Sequence, residues 1–87
     1  RYTLSGELNT TVADAQASIA AVRAEFEGKP GITIDTLDGM TVEAQDWWFN
    51  LRPSNTEPLL RLNVEAADPQ QMEQVRDDVL AMIQAVG

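Results

Sequence analysis

Three stretches in the second half of the chain alternate apolar and polar residues, and this pattern restricts the fold more than any other feature. They read MTVEAQ at residues 40–45, WWFNLR at residues 47–52 and LLRLNVEA at residues 59–66. In an extended strand, alternation with a period of two places the apolar side chains on one face and the polar ones on the other. The pattern is typical of an antiparallel sheet with one covered face. Apolar residues elsewhere in the chain must therefore cover that face.

Two amphipathic helices are predicted to supply this cover. The first is predicted to begin at Thr11, as an N-cap with Asp14 three residues on, and to stop at Gly28. The second is predicted to begin with Asp68 as the cap and Pro69 at the first helical position. The predicted apolar stripes are Val12, Ala15, Ile19, Val22 and Phe26 in the first helix, and Met72, Val75, Val79, Met82 and Val86 in the second.

A further strand is predicted at residues 32–37, ITIDTL, because Asp38-Gly39 follows it as a strong hairpin signal. The expected fold is α+β, with a small antiparallel β-sheet of about four strands and two helices packed on one face. A chain of 87 residues suits a single domain. Residues 1–7 show no clear period and are read as a leading segment, and residues 8–87 are read as the globular part.

The composition excludes several classes of site. The chain has no cysteine and no histidine, so it offers no disulfide, no thiolate and no imidazole base. This favours the cytoplasm. The net charge of −8 argues against nucleic acid and anionic membranes as partners, and the six basic residues are too scattered in sequence to predict a basic patch. No apolar run is long enough for a membrane span, and the acidic residues show no metal-ligand spacing. The chain begins with Arg1 rather than methionine, so we read it as a piece of a larger protein.

The turn RPSNTEP at residues 52–58 is unusually rich in hydrogen-bond donors. One interpretation is a plain turn, because proline, serine and asparagine favour turns for backbone reasons. The other is an anion site, in which Arg52 offers a planar fork of donors and the turn directs backbone N–H groups inward as a nest. The short donors beside it are Ser54, Asn55 and Thr56. The loop contains no nucleophile or base, so it could hold a phosphate without transferring one.

RPSNTEP followed by LLRLNVEA resembles the phosphate-binding loop of the α-D-phosphohexomutases, in their phosphomannomutase/phosphoglucomutase branch. The resemblance extends to SGELNTTVAD at residues 5–14 and to LDGMTVEAQDWWFNLRPSNTEP at residues 37–58. It covers nearly the whole chain in the same order. It implies the last of four domains, built like the TATA-binding protein, whose loop holds the sugar phosphate that is not being transferred.

The resemblance also implies residue roles. Its phosphate contacts are Arg52, Ser54, Asn55 and Thr56, and its hinge residues are Ser5, Gly6 and Glu7. Glu57 is a candidate for orienting Arg52 or a backbone amide. Trp47-Trp48 departs from many relatives, which have a glycine and one aromatic there. Because the two rings must lie on opposite faces of a strand, one is predicted to be core. For the other, two interpretations stay open: contact with a neighbouring domain, or exposure without a function.

The chemistry of such enzymes is implied to lie in their other domains. These supply a phosphoserine, an Asp-rich loop for Mg²⁺ and a loop that reads the sugar hydroxyls, and none of the three motifs occurs in residues 1–87. The expectation is therefore a domain with no catalytic residue, no bound cofactor and no activity alone, whose partners are a hexose phosphate and the other domains. Asn55 is glycine in phosphoglucosamine mutases, which favours hexose substrates. Two alternatives stay open: the C-terminal domain of a phosphoglucosamine mutase, and a non-catalytic acidic protein-interaction domain.

Overall fold

The computed structural model of the protein describes residues 2–86, so Arg1 and Gly87, the two ends of the predicted ranges, lie outside the described residues. It confirms an α+β fold with an antiparallel sheet and two helices. Within the described residues, neither helix is long and apolar enough to cross a membrane. In chain order the elements are β1 (Thr3–Leu4), β2 (Leu8–Thr11), α1 (Ala15–Phe26), β3 (Thr33–Asp35), β4 (Met40–Glu43), β5 (Trp47–Pro53), β6 (Leu59–Ala66) and α2 (Pro69–Val86).

The sheet has six strand segments where about four were expected. Its order is β1-β6-β5-β4-β3, and β2 also pairs with β6, so β1 and β2 share one edge. Leu4 opposes Glu65 while Leu8 opposes Leu62, which places three residues of one strand against two of the other. This one-residue bulge lies at Gly6, whose φ is +74°. β1 and β2 are too short, and too interrupted by the bulge, to show the alternation of apolar and polar residues by which strands are recognised in a sequence.

The predicted hinge, Ser5-Gly6-Glu7, lies at this bulge and is hydrogen-bonded to β6. The Ser5 amide donates to the Val64 carbonyl at 2.8 Å. The Val64 amide in turn donates to Ser5 Oγ at 2.9 Å, so the serine side chain continues the ladder where the backbone leaves it. A hinge role for these residues, and the division at residue 7, stay predictions.

The start of α1 differs from the expectation. Its N-cap is Asp14, whose Oδ1 accepts from the Ala17 amide at 3.1 Å. Thr11 is the last residue of β2, paired with Leu59, and this pairing keeps it in the sheet. The predicted cap of α2 is confirmed, because Asp68 Oδ1 accepts from the Gln71 amide at 2.8 Å.

The core lies between one face of the sheet and the two helices, as predicted. The alternating strands contribute Met40, Val42, Phe49, Leu51, Leu60, Leu62 and Val64, all essentially inaccessible to solvent. The stripe of α2 ends differently, since Ile83 is 1% exposed and Val86 is 41% exposed. At 100° per residue, residue 86 falls on the same face of the helix as residues 72, 75, 79 and 83, so its exposure reflects its position as the last residue of α2 rather than a turn away from the core.

The tryptophan pair divides between the two faces of the sheet, as predicted. Trp47 stacks on Phe49 with ring centroids 6.0 Å apart and meets Phe26 edge-on at 5.7 Å. Trp48 lies on the opposite face between Glu43 and Glu65 of the neighbouring strands. We call this opposite side, which neither helix covers, the open face. Besides Trp48 it carries mostly polar residues of β4, β5 and β6: Thr41, Glu43, Asn50, Arg52, Arg61, Asn63 and Glu65.

Candidate anion-binding site

The donor-rich loop, residues 54–58, connects β5 to β6 and is closed by its own hydrogen bonds. The Ser54 amide donates to the Leu59 carbonyl at 3.0 Å, and the Leu59 amide donates to the Glu57 carbonyl at 2.8 Å. Ser54 Oγ accepts from the amides of Thr56 at 3.3 Å and Glu57 at 3.2 Å. These bonds form the serine-centred turn that competes with regular structure at such positions. These internal hydrogen bonds define the shape of the loop.

The serine-centred turn changes the expected role of the backbone amides. Two amides of the predicted anion nest, those of Thr56 and Glu57, donate to Ser54 Oγ instead of standing free. A hydroxyl that accepts two hydrogen bonds keeps its single O–H for donation. Ser54 thus organises the loop and still offers one donor. The side chains of Asn55 and Thr56 lie exposed beside it.

Arg52 lies on the open face close to the C-terminal end of β5, immediately before the loop. Its side chain is 49% exposed, and its Nη2 lies 3.3 Å from Asp38 Oδ1. The carboxylate beside the guanidinium is therefore Asp38, from the turn between β3 and β4. The sequence had offered Glu57 as a candidate for orienting Arg52 or a backbone amide. Its backbone amide and carbonyl take part in the hydrogen bonds of the loop, and the role of its carboxylate stays a prediction.

The β3–β4 turn packs directly against the base of the loop. Asn50 Nδ2 donates to the Asp38 carbonyl at 3.0 Å and to Thr41 Oγ1 at 3.1 Å. Gly39 has a φ of +69°, and a Cβ built on it would lie 2.7 Å from Arg52 Cβ and 2.9 Å from the Leu51 carbonyl oxygen. Glycine is required here both for the left-handed backbone and for this close approach. The turn thereby fixes where the stem of Arg52 leaves the sheet.

Gly39→Ala is expected to destabilise the domain by about 2–4 kcal/mol, because the left-handed backbone and the contact with Arg52 are both strained. Gly28→Ala is the matched control, since Gly28 has a φ of +83° and no atom within 4 Å of its built Cβ. This control variant should lose only the part of the stability that comes from the strained left-handed backbone, about 1 kcal/mol. Chemical denaturation of both variants measures the difference. Equal losses would contradict the close contact at Gly39.

A second guanidinium lies beside Arg52, and the sequence pattern did not predict it. The register of β5 and β6 places Arg61 directly opposite Arg52, so both side chains point to the open face. Within residues 2–86 Arg61 makes no ion pair, and like charges in directly opposed positions are unfavourable. Two of six basic residues thus meet at the base of the loop. Strand register decides which of the basic residues are neighbours, and it forms a local pair, one member of which contacts Asp38, rather than an extended basic patch.

The arrangement brings together donors of the kind that suit an anion. It offers two guanidinium groups, two hydroxyls and a carboxamide, of which the charged donors make the strongest hydrogen bonds to phosphate or carboxylate oxygens. No group of three or more acidic side chains that could hold a metal ion occurs among the described residues. A groove of about 460 Å³ lies between α1 and the β3–β4 hairpin, on the helical side of the sheet and therefore away from both guanidinium groups.

The fold and this site together define an α+β domain with a donor-rich hairpin loop next to an arginine pair. The family model described as "Phosphoglucomutase/phosphomannomutase, C-terminal domain" matches residues 7–82. The chain belongs to this family of C-terminal domains.

Known relatives agree with this assignment. A phosphomannomutase of Escherichia coli is 43% identical over 83 residues, which cover 94% of this chain and 18% of the relative. A phosphomannomutase of Methanocaldococcus jannaschii is 39% identical over 83 residues, covering 95% of this chain and 18% of the relative. A crystal structure of a phosphoglucomutase/phosphomannomutase family protein from Burkholderia thailandensis superposes with a TM-score of 0.70 at 28% identity, covering 98% of this chain and 18% of that one. The chain thus spans about a fifth of the length of these proteins.

Proposed function

We propose that this domain binds the phosphate of a hexose phosphate that is not being transferred, within a larger enzyme that interconverts hexose 1-phosphate and hexose 6-phosphate. The observation that carries the proposal is the cross-strand pair Arg52 and Arg61 at the base of the loop. An anion between them would offset a like-charge contact that the fold otherwise leaves partly uncompensated. In a chain of net charge −8, this is a localised site for an anion.

A phosphomonoester fits the donor set better than a carboxylate does. It carries close to two negative charges and three acceptor oxygens at neutral pH. Two arginine forks and the short donors of residues 54–56 can serve several oxygens at once. A carboxylate has two oxygens and one charge, so it would leave donors unused. The phosphate contacts we propose are Arg52, Ser54, Asn55 and Thr56, to which the register adds Arg61.

The remaining parts of the activity are assigned to the rest of the enzyme. We place the phosphoserine and the Mg²⁺ site in the other domains and expect the isolated domain to be inactive. We also propose a cytoplasmic enzyme. Mannose phosphate is the preferred substrate in this proposal, because three relatives aligned over 83 residues of the chain are all named phosphomannomutase. A phosphoglucosamine mutase would instead turn over glucosamine phosphate faster than mannose phosphate.

A chimera tests this function. The C-terminal domain of the Escherichia coli relative would be replaced by residues 1–87, and interconversion of mannose 1-phosphate and mannose 6-phosphate would be measured. We expect activity, and a KM raised about tenfold or more when Ser54, Asn55 and Thr56 are all replaced by alanine. If the chimera with the triple replacement is folded and active and its KM is unchanged, the proposed phosphate role is contradicted. It would favour the protein-interaction alternative.

Arg61→Met in the same chimera is expected to raise KM about three- to tenfold, since it removes one charged donor and keeps an apolar stem of similar length. Arg76→Met is the matched control. Arg76 lies on α2, across the sheet from the open face, and its hydrogen bond to Asp77 raises the pKa of its guanidinium. The control therefore removes the same charge at a distance. Equal KM values for the two variants would show that Arg61 contributes only net charge.

A further inference from the structure

We propose that Asp38 is the resident counter-ion of Arg52, and that a bound phosphate takes its place. Asp38 then has opposite effects on the two states of the domain: it stabilises the empty site and weakens the occupied one. The inference rests on the proposed role of Arg52 in phosphate binding. It adds a residue outside the loop that limits how tightly the loop holds its ligand.

The ion pair has the geometry of a contact that is easily exchanged. Asp38 Oδ1 approaches Nη2 of Arg52 at 3.3 Å, and the two side chains are 49% and 77% exposed. Exposed pairs of this kind contribute little to stability and are screened by salt. A guanidinium has five N–H donors in a fixed fork, and one distant carboxylate oxygen leaves most of them open. Phosphate can therefore approach Arg52 before the pair has separated.

Asp38 cannot move far away when the exchange takes place, because its backbone is fixed. Its carbonyl accepts from Asn50 Nδ2, and the next residue, Gly39, lies against the Cβ of Arg52. On its other side, Asp35 Oδ1 accepts from the Leu37 amide at 2.8 Å and holds the preceding part of the turn. The carboxylate consequently stays close to the guanidinium that it has released. It then lies near the phosphate as a like charge.

The cross-strand arginine pair explains why the empty domain benefits from this carboxylate. Arg52 and Arg61 are directly opposed, and Asp38 is the one acidic residue in the described part of the chain that pairs with either of them. In the empty site it offsets part of their repulsion. In the occupied site the phosphate does so instead, and Asp38 contributes only repulsion of the ligand. A residue with only a structural role would not stabilise the empty site and also weaken phosphate binding.

Asp38→Asn tests the inference on the 87-residue chain, with inorganic phosphate as the probe and the amide shifts of residues 54–57 as the readout. We expect binding about three- to tenfold tighter at low salt, with a gain that shrinks as salt is added. The midpoint of thermal unfolding of the empty chain should fall by a few degrees. Asp46→Asn is the matched control. Asp46 immediately precedes β5, so its charge lies about 20 Å from Arg52 along that strand. Removing it should change the affinity for phosphate less than about twofold.

Two further variants make the test specific. Asp38→Ser removes the charge and keeps a turn-forming residue, so it should tighten binding as Asp38→Asn does. In an Arg52→Met background the competition for the guanidinium is gone and only the direct repulsion of the phosphate remains, so Asp38→Asn should tighten binding less than it does in the wild type. Unchanged or weaker binding by Asp38→Asn, with the wild-type loop still responding to phosphate, would overturn the counter-ion role alone. If the wild-type loop did not respond to phosphate either, the proposed function would fail with it.

Discussion

Arg52→Met is expected to weaken binding of mannose 1-phosphate to this domain by about ten- to a hundredfold. Hydrogen bonds to charged groups contribute about 1.5–3 kcal/mol each, and the substitution removes the whole guanidinium fork. Methionine keeps an unbranched apolar stem, so the contact of the arginine stem with Gly39 is largely preserved. The change lies on a half-exposed side chain, and the fold should remain intact. Dissociation constants from amide shifts of residues 54–57 measure the effect.

Two substitutions make the loss specific to Arg52. Arg52→Lys keeps the charge and loses the planar fork, so its affinity should lie between those of the wild type and the methionine variant. Arg76→Met makes the same chemical change on α2 and should leave affinity within about twofold. A methionine variant at residue 52 that still binds like the wild type would remove Arg52 from the site.

Phe49→Ala is expected to lower the free energy of unfolding by about 3–5 kcal/mol. The Phe49 side chain is 0% exposed, and its ring packs edge-on against Phe26 at 5.4 Å and stacks on Trp47. Stabilities of small domains are roughly 5–15 kcal/mol, so this is a large fraction of the total. The midpoint of thermal unfolding should fall by at least about 12 °C. Calorimetry measures both quantities.

Trp48→Ala is the control, because Trp48 is the preceding residue of β5 and points to the open face. It removes a larger side chain that neither helix covers, so its loss of stability should be clearly the smaller. A loss equal to that of Phe49→Ala would show that the open face contributes as much to stability as the helix-covered core.

Much of the sheet and both helices could be predicted because their signals are local. Alternation along residues 47–52 predicted that the two tryptophan rings lie on opposite faces of the sheet, and Asp68-Pro69 marked the start of α2. Thr11 was misassigned because it has a good cap side chain, yet its backbone pairs with Leu59 in the sheet. The rules for caps read one residue and its near neighbours, while this pairing joins residues 48 positions apart in sequence.

The site was predicted only as far as its residues are contiguous. The donors of residues 52–56 are adjacent in sequence and could be recognised together. Arg61 and Asp38 reach Arg52 through strand register and through the β3–β4 turn, and neither relation is visible as a spacing. Counting residue pairs inward from the closed hairpin, where Pro53 opposes Leu60, would have matched Arg52 with Arg61. Asp38 required the structure, since its partner lies two strands along the chain.

An NMR titration of the 87-residue chain with mannose 1-phosphate tests the central claim most directly. We expect saturable amide shifts at Arg52, at residues 54–57 and at Arg61, with an affinity of about 1 mM, equivalent to about −4 kcal/mol. Inorganic phosphate should compete, because the site recognises the phosphate. Arg76 and its neighbours on α2 should not shift. Absence of any response at the loop up to tens of millimolar ligand, in a chain shown to be folded, would contradict a preformed phosphate site.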